Sequence, residues 1–386
     1  MINLIQEIIT RFGPRIAGSE AERNAQIFIQ GKCKEFTDDT HFMPFESYLD
    51  ARFGKLKYFV ALFFVSLILF WWTIWGALIV SLVNVVFLLV DFLMYRVILS
   101  SFPGKKQTSW NVEASIEPKG NAKSTLIVSG HMDSTREYTW WYRLGYFGKQ
   151  LTIYAGVLML LQFVFNLCAL WLPFEMMLNI WFVFLCLSPL TIVYWSMQGK
   201  NGVPGAHDNL SGITIAYHLF QYFADNSNKG KSTLENTRIR FISFGSEERG
   251  LCGAKAYVNE YYDKLVAENA IMVNFDSIRL VDELAVVKKE AAGTAHHPVL
   301  VRETKRSFEN LQIPCKYTTV PIGGMDSTPF ARKGIPTVSM LGITPKDPYY
   351  HTRNDSVENI EPKSIENAFE GIKDFIIRWD RGEVNL

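Results

Sequence analysis

The chain has 386 residues, with 39 Lys and Arg against 38 Asp and Glu. This balanced charge excludes the basic field typical of nucleic-acid binding, and it argues against an acidic solvating tail. Hydrophobic residues make up 48% of the chain and aromatic residues 14%. Much of this apolar content lies in two blocks, and the remainder has the composition of an ordinary α/β protein. We therefore expect one large domain with additions.

The beginning of the chain and the cysteines are typical of a protein in a reducing compartment. Residues 1–7 lack the basic-then-apolar layout of a signal peptide. The cysteine count is odd, the spacing is wide and there is no CxxC pair, so we interpret all of the cysteines as free thiols. They are Cys33, Cys168, Cys186, Cys252 and Cys315.

The first apolar block covers residues 58–90, a run of 33 residues without a charge. A single helix of that length would extend about 50 Å, well beyond a hydrocarbon core of about 30 Å. We predict instead two membrane spans that turn near Trp75 and Gly76. This first transmembrane hairpin is assigned to residues 58–99, and residues 1–57 before it are assigned to the first part of the catalytic domain.

The second apolar block covers residues 151–199 and is interrupted at Pro173-Phe174-Glu175. It predicts a second transmembrane hairpin, which brings the total to four spans. Because each hairpin returns the chain to the side it left, residues 100–150 and 200–386 are expected to complete the same catalytic domain. The spans contain isolated amide side chains but almost no ionisable group, so we predict that they anchor the protein in the lipid bilayer rather than form a transport path.

Charges around the hairpins predict the topology. The hairpin tips carry only Glu175, whereas basic residues flank the hairpins on the other side. The positive-inside rule then places the catalytic domain in the cytoplasm. The flanking basic residues are Arg52, Lys55, Lys57, Arg96, Lys105, Lys106, Arg143, Lys149 and Lys200.

Strand and helix patterns alternate through the rest of the chain. This alternation predicts an α/β fold in which helices cover both faces of an open sheet. The predicted strands are residues 109–117, 124–129, 238–244, 270–275 and 337–341. The predicted helices are residues 24–36, 210–225, 253–262, 298–311 and 362–380.

Metal-binding residue types follow three of the predicted strands directly. His131 comes after one strand, Glu247 and Glu248 after another, and Asp276 after a third. Ligands of open α/β sheets bind outside the carboxyl ends of the strands, so these side chains are expected to converge. One of the paired glutamates can bind a metal while the other acts as a general base on a metal-bound water.

Three further acids and one histidine complete the candidate set. Asp133 lies close enough to His131 to fix the tautomer of the imidazole. Asp208 lies in a Gly-rich turn before a helix, where its two oxygens could bridge two metals or merely cap the helix. His351 has a nearby acid, Asp355, which we interpret as its support.

Together these segments resemble the di-zinc aminopeptidases of the bacterial leucine aminopeptidase type, in the clan that also contains glutaminyl cyclases and the transferrin receptor. The resemblance begins at Gly13-Pro14-Arg15-Ile16-Ala17-Gly18-Ser19 and covers almost everything except the hairpins. It implies a twisted mixed β-sheet sandwiched between helices. It also implies two zinc ions, with His131 and Asp276 on one, Glu248 and His351 on the other, and Asp208 between them.

The resemblance implies a zinc metallo-exopeptidase, and the two predicted hairpins make it a membrane-anchored one. It would remove N-terminal residues from peptides with a free N-terminus, with Glu247 as the general base and Asp133 orienting His131. A one-zinc glutaminyl cyclase and a non-enzymatic receptor or scaffold on the same fold are the alternatives. The sequence assigns no oligomeric state.

Two positions depart from the family pattern. His207 stands where the family usually has Asn or Asp. Ser327 follows Asp326, where the family often has His in its Asp-x-x-x-Phe segment. We interpret His296 and His297 as a loop pair without a metal-binding role.

Overall fold

The computed structural model describes residues 1–48, 51–95, 105–290, 293–320 and 322–386, without the side chains of residues 51, 52, 91 and 92. Two of the basic groups used for the predicted topology, Arg96 and the side chain of Arg52, therefore lie outside the described residues. The chain divides into two compact units. The sheet unit comprises Met1–Leu49, Lys106–Arg136 and Asn201–Leu386, and the helical unit comprises Asp50–Lys105 and Glu137–Lys200.

The strands are numbered in chain order. They are β1 Thr40–Ser47, β2 Gln107–Ile116, β3 Ser124–His131, β4 Arg136–Tyr138, β5 Gln198–Gly202, β6 Thr237–Phe244, β7 Ile271–Ile278, β8 Ala285–Glu290, β9 Thr294–Ala295, β10 Lys316–Thr319 and β11 Thr337–Gly342.

The α-helices are numbered in the same way. They are α1 Ile2–Phe12, α2 Glu20–Cys33, α3 Ala51–Gly54, α4 Leu56–Leu69, α5 Ile74–Phe87, α6 Thr139–Leu144, α7 Tyr146–Cys168, α8 Phe174–Leu187, α9 Ile192–Trp195, α10 Ser211–Phe223, α11 Cys252–Glu260, α12 Tyr262–Ala267, α13 Pro298–Asn310, α14 Ser327–Arg332 and α15 Pro362–Asp380.

One mixed sheet organises the sheet unit. Over the described residues its strands follow the order β1-β2-β6-β3-β7-β11-β8-β10, with β9 paired to β8. The four central strands β6, β3, β7 and β11 run parallel, whereas β1 and β2 add to one side in antiparallel fashion. The predicted α/β fold with a twisted mixed sheet between helices is confirmed.

Helices cover both faces of this sheet because its central strands are apolar on both faces. Leu126 and Val128 of β3 pack in the same core as α10 and α15, whereas Ile127 between them packs in a second core with residues of α11 and α14. Successive side chains of a strand point to opposite faces, which gives this division. The parallel strands therefore end at a single edge that is enclosed from both sides.

The helical unit contains the two apolar blocks. The first hairpin turns between α4 and α5, at residues 70–73 rather than at the predicted Trp75 and Gly76. Thr73 explains the difference, because its Oγ1 accepts the N–H of Gly76 at 3.4 Å and caps the start of α5. In the second hairpin, α7 ends at Cys168 and α8 begins after Pro173, close to the predicted interruption.

Buried amide side chains connect the helices of this unit. Asn166 on α7 donates from Nδ2 to Ser66 Oγ on α4 at 2.9 Å and lies 3.0 Å from Ser81 Oγ on α5. Gln162 donates to the carbonyl of Phe63 at 3.0 Å. Hydrogen bonds between apolar helices are each worth about 0.6–2 kcal/mol in a bilayer. The isolated polar residues of the apolar blocks therefore join the two hairpins into one bundle.

Two segments of the helical unit are long and apolar enough to cross a membrane, Tyr146–Cys168 and Phe174–Trp195. The helices of the first hairpin, Leu56–Leu69 and Ile74–Val90, are apolar but shorter. Length and composition give weak evidence for a span, because the core helix of a soluble protein has the same properties. Four spans therefore stay a prediction.

Candidate metal centre

Five side chains that the sequence singled out as metal ligands come together at the carboxyl edge of the parallel strands. His131 is the last residue of β3, and Glu248 lies in the loop after β6. Asp276 lies inside β7, which continues to Ile278 rather than ending at residue 275 as predicted. Asp208 belongs to the short turn Ala206–Leu210, and His351 to the loop that follows β11.

The ligand atoms form two groups that share one residue. His131, Asp208 and Asp276 form the first, and Asp208, Glu248 and His351 form the second. Within each group the candidate ligand atoms lie within 4.8 Å of one another, and all five residues are buried. These are the pairings that the family resemblance implied, with Asp208 common to both.

The carboxylate of Asp208 presents one oxygen to each histidine. Its Oδ1 lies 3.3 Å from His131 Nε2, and its Oδ2 lies 3.0 Å from His351 Nε2. His351 Nε2 is also 3.2 Å from Glu248 Oε1. A carboxylate with one oxygen directed to each side is suited to bridging two cations.

The donor set fits zinc. Imidazole nitrogens and carboxylate oxygens are ordinary zinc ligands. Three buried atoms of these groups, His131 Nε2, Asp208 Oδ2 and Glu248 Oε1, have no hydrogen-bond partner among the described residues. An unsatisfied buried polar atom costs about 1–3 kcal/mol, and metal coordination removes that cost. We infer that these atoms are arranged for cations.

Burial and the charges of neighbouring side chains set the protonation of the candidate metal ligands. Burial raises the pKa of Asp276 to about 7, and the negative charge of Asp208 adds to the effect. Burial opposes protonation of His351, but Glu248 and Asp208 together raise its pKa to about 9. Burial likewise opposes protonation of His131, but Glu247 and other acids raise its pKa well above the usual range.

Zinc binding to the metal-free protein is expected to tighten as the pH rises from about 7 to about 9. His351 carries a proton below its pKa of about 9, and a zinc ion must displace that proton to bind. Each displaced proton gives a roughly tenfold gain in affinity per pH unit, so the gain is at least tenfold and larger where His131 also releases a proton. Chelator competition at constant ionic strength measures this dependence. An affinity that is independent of pH over this range would contradict the assignment of His351.

Asp133 positions more than the histidine it was predicted to orient. His131 Nδ1 lies 3.4 Å from Asp133 Oδ1 and 3.1 Å from the backbone oxygen of the same residue. The two carboxylate oxygens of Asp133 also accept the N–H groups of Glu247 and Glu248, at 3.0 and 3.1 Å. One carboxylate therefore fixes a ligand of the first group, a ligand of the second group and the candidate base.

Glu247 lies beside the ligands and belongs to neither ligand group. Its Oε2 is 3.8 Å from His131 Nε2. Burial raises the pKa of Glu247 well above its usual range; His131 opposes this shift, and Glu248 strengthens it. A carboxylate with a raised pKa next to a metal centre is suited to accept and return a proton.

The turn that carries Asp208 is held by a residue whose role the sequence misassigned. Asp355, which we predicted to support His351, accepts the N–H of His207 at 2.7 Å and the N–H of Asp208 at 3.2 Å. His207 Nδ1 also lies 2.5 Å from Asp355 Oδ1. The departure at His207 therefore adds an ion pair beneath the turn, and Asp355 supports Asp208.

A second buried network lies around the Asp-x-x-x-Phe segment. His296, which lies in the loop before α13, is buried, and its Nε2 lies 2.7 Å from Glu290 Oε1. Ser327 Oγ donates to the same oxygen at 2.7 Å, and Glu290 Oε2 accepts from Thr328 Oγ1 at 2.8 Å. These contacts fix the first turn of α14 and thereby the position of Asp326, a fully buried acid.

An α/β sheet with two adjoining metal-ligand groups at the edge of its parallel strands is typical of two-metal hydrolases. Residues 192–376 of the chain match the Peptidase family M28. The match covers the segments with Asp208, Glu248, Asp276 and His351. The predicted resemblance to this peptidase clan is confirmed.

The comparisons with individual proteins agree. Aminopeptidase YwaD from Bacillus subtilis is 27% identical over 169 residues, which are 43% of this chain and 35% of that relative. The chain thus matches about a third of the length of that relative. Among solved structures, a zinc aminopeptidase from Bacillus subtilis has a TM-score of 0.58 at 16% identity, over 98% of this chain and 94% of its own. A glutaminyl cyclase from an Acidobacteriales bacterium has a TM-score of 0.57 at 14% identity, over 99% and 94%. Identities this low establish the fold alone.

Proposed function

We propose that this protein is a membrane-anchored zinc aminopeptidase that removes residues from the N-terminus of peptides. The observation that carries the proposal is the pair of buried ligand groups that share Asp208. A one-zinc cyclase needs only one such group, and the presence of two candidate groups therefore supports a site for two ions. The M28 match and the aminopeptidase relative support the same activity.

The residues divide the work as follows. His131 and Asp276 would hold one zinc, Glu248 and His351 the other, and Asp208 would bridge them. When bound, the two ions supply Lewis acidity that polarises the scissile carbonyl and lowers the pKa of water. Glu247 accepts the proton of the attacking water and delivers it to the leaving amine.

The acidic side chains of the centre support recognition of the free N-terminus of a peptide substrate. Glu247, Asp276 and Asp326 are buried carboxyl groups in one another's electrostatic field, and each has a raised pKa, first of all because of burial. A cationic α-amine reduces that repulsion when it enters, whereas the neutral interior of a long peptide does not. This difference favours cleavage at the chain end.

Metal stoichiometry and product analysis test the proposal together. We expect about two zinc ions per chain by elemental mass spectrometry of detergent-purified protein, and release of free amino acids from peptides. A peptide that begins with Gln separates the alternatives, since a cyclase releases ammonia and leaves the peptide bond intact. One zinc with ammonia release would establish the cyclase, and no zinc after reconstitution would favour a receptor or scaffold.

The proposal includes four membrane spans, with the sheet unit in the cytoplasm. It is supported by the large apolar side chains that the helical unit leaves exposed. Trp72 and Trp171 near the two hairpin tips are 85% and 77% exposed. The amide hydrogen bonds that join α4 and α5 to α7 support insertion of both hairpins as one bundle.

Reporter fusions in a Gram-negative bacterium test this topology. Alkaline phosphatase fused after residue 72 or after residue 173 is expected to be active, because both hairpin tips would face the periplasm. Alkaline phosphatase fused after residues 57, 105 and 200 is expected to be inactive. Green fluorescent protein fused at the same three positions is expected to be fluorescent. Phosphatase activity at residue 105 but not at residue 57 would show that the first hairpin does not return. Activity at residues 57, 105 and 200 with inactive tips would reverse the proposed orientation, and inactivity at all five positions would contradict spanning altogether.

A further inference from the structure

A long connection separates the segments that carry His131 and Asp208. Residues 134–207 separate the two ligand segments, and Glu137–Lys200 of that stretch belongs to the helical unit. The two ends of this connection are paired, since β4 and β5 form a two-stranded sheet and Val203 N–H donates to the carbonyl of Thr135 at 3.0 Å. This pairing lies at the base of the connection, so a further contact beside the ligands is needed to fix the spacing of the two ligand segments.

Arg15, in the Gly13–Ser19 segment, makes that contact. Its guanidinium donates from Nε to the carbonyl of Met132 at 2.8 Å, and from a terminal nitrogen to the carbonyl of Gly205 at 3.2 Å. Met132 lies between His131 and Asp133, and Gly205 begins the turn that carries Asp208. The fork of one arginine thus spans both ligand segments.

The backbone of Arg15 extends the same connection. Its N–H donates to Ser134 Oγ at 3.0 Å, and its carbonyl accepts the N–H of Ser134 at 2.9 Å. Ser134 Oγ in turn donates to the carbonyl of Val203 at 2.9 Å. The two ends of the long connection are therefore joined to Arg15 and to each other.

The guanidinium is fully buried, and its hydrogen bonds to the described residues end on carbonyl oxygens, including that of Gly13 at 2.8 Å. A buried cation without a carboxylate in direct contact is costly, so its position needs a reason. Asp133 and Asp355 act on it electrostatically from farther away, and each of them positions a ligand segment. The positive charge thus lies among the acids that support the metal centre.

The space around Gly205 shows how closely the parts fit. Gly205 has a φ of 65°, and a Cβ on it would lie 2.9 Å from the Arg15 guanidinium and 2.7 Å from Ser134 Cβ. A residue with a side chain would move the turn away from Arg15. The close approach of the guanidinium to the carbonyl of Gly205 therefore depends on glycine at this position.

We propose that Arg15 is a positioning residue for the two-metal centre. Arg15 sets the distance between the His131 segment and the Asp208 turn. The inference rests on the proposed zinc site. Lysine cannot replace it, because a single ammonium on a flexible stem does not reproduce a planar fork with donors in two directions.

The test compares Arg15→Lys with Arg378→Lys in the full detergent-purified chain. Arg378 is a matched control, since it is also buried and donates to the carbonyl and the carboxylate of Glu303, on helices that carry none of the ligands. Zinc affinity is measured by competition with a chromogenic chelator, and the thermal unfolding of the metal-free proteins is followed in parallel. We expect Arg15→Lys to weaken zinc binding roughly 10–100-fold, the usual effect of losing a residue that supports metal ligands. Arg378→Lys is expected to lower thermal stability and to leave zinc affinity unchanged.

Ser134→Ala is the second variant, because it removes the hydroxyl link to Val203 and keeps the buried charge. It is expected to shift zinc affinity in the same direction by a smaller factor, even if Arg15→Lys does not fold. The role of Arg15 would be overturned if Ser134→Ala and a folded Arg15→Lys both bound zinc with wild-type affinity. It would also be overturned if Arg378→Lys lost as much zinc affinity as Arg15→Lys. Neither result would contradict the proposed function. A wild-type chain that binds no zinc would overturn the proposed function and this inference with it.

Discussion

Glu247→Gln is expected to lower kcat by about 10²–10⁴-fold, the usual contribution of a general base, and to leave the zinc content at the wild-type value. This change corresponds to about 2.7–5.5 kcal/mol of activation free energy. The amide has nearly the same shape as the carboxyl group but cannot accept the proton of water. Because Glu247 belongs to neither ligand group, the affinity for zinc has no reason to fall with it.

Two measurements are needed for each variant, kcat on a chromogenic N-terminal amide and zinc per chain. Glu260→Gln is a matched control, since Glu260 is an exposed acid at the end of α11. It is expected to retain wild-type activity. Wild-type turnover by Glu247→Gln would remove Glu247 from the reaction, and loss of zinc would instead identify it as a ligand.

Asp208→Asn is expected to have the largest effect on metal binding. The neutral amide loses the charge that Asp208 contributes to both ligand groups, and it directs an NH₂ group at one of the two histidines. Loss of a supporting partner alone weakens metal binding about 10–100-fold, so loss of the shared ligand should exceed about 100-fold. We expect fewer than two zinc ions per chain at micromolar zinc, together with loss of peptidase activity.

The comparison with single-site ligand variants makes this test specific. Asp276→Asn and Glu248→Gln each change one group, so each is expected to impair one zinc ion while the other is retained. Asp263→Asn, at an exposed position of α12, serves as the control for loss of an acid. If Asp208→Asn retained one zinc at wild-type affinity, Asp208 would be a ligand of a single site rather than a bridge.

The candidate ligands could be found from sequence because their signals, each weak alone, form a specific set in their order and spacing along the chain. His131, Glu248 and Asp276 come at or near the ends of apolar strands, and parallel strands bring such positions to one edge. Asp276 nevertheless lies inside β7 rather than after it. The pairing of β7 with β11 continues to Gly342 with an irregularity after Asp276, and Ser277 has a positive φ of 50°. Local patterns do not predict such an irregularity.

The supporting residues were harder to predict because their partners are distant in sequence. Glu290 and Ser327 meet across 37 positions, and Asp355 meets His207 across 148. Nearness in sequence to His351 suggested the wrong partner for Asp355. Side-chain hydrogen bonds of this kind depend on the tertiary fold, and neither periodicity nor propensity records them.

The second hairpin leaves the sheet unit and returns to it at neighbouring points. Val203 N–H donates to the carbonyl of Thr135 at 3.0 Å, beside the contact of Val203 with Ser134. An insertion whose ends already meet adds little strain to its host, whatever its length. The second hairpin is thus an insertion that can be exchanged. A short turn between Thr135 and Val203 would close the chain without moving either ligand segment, so the same sheet unit can exist with this hairpin or without it.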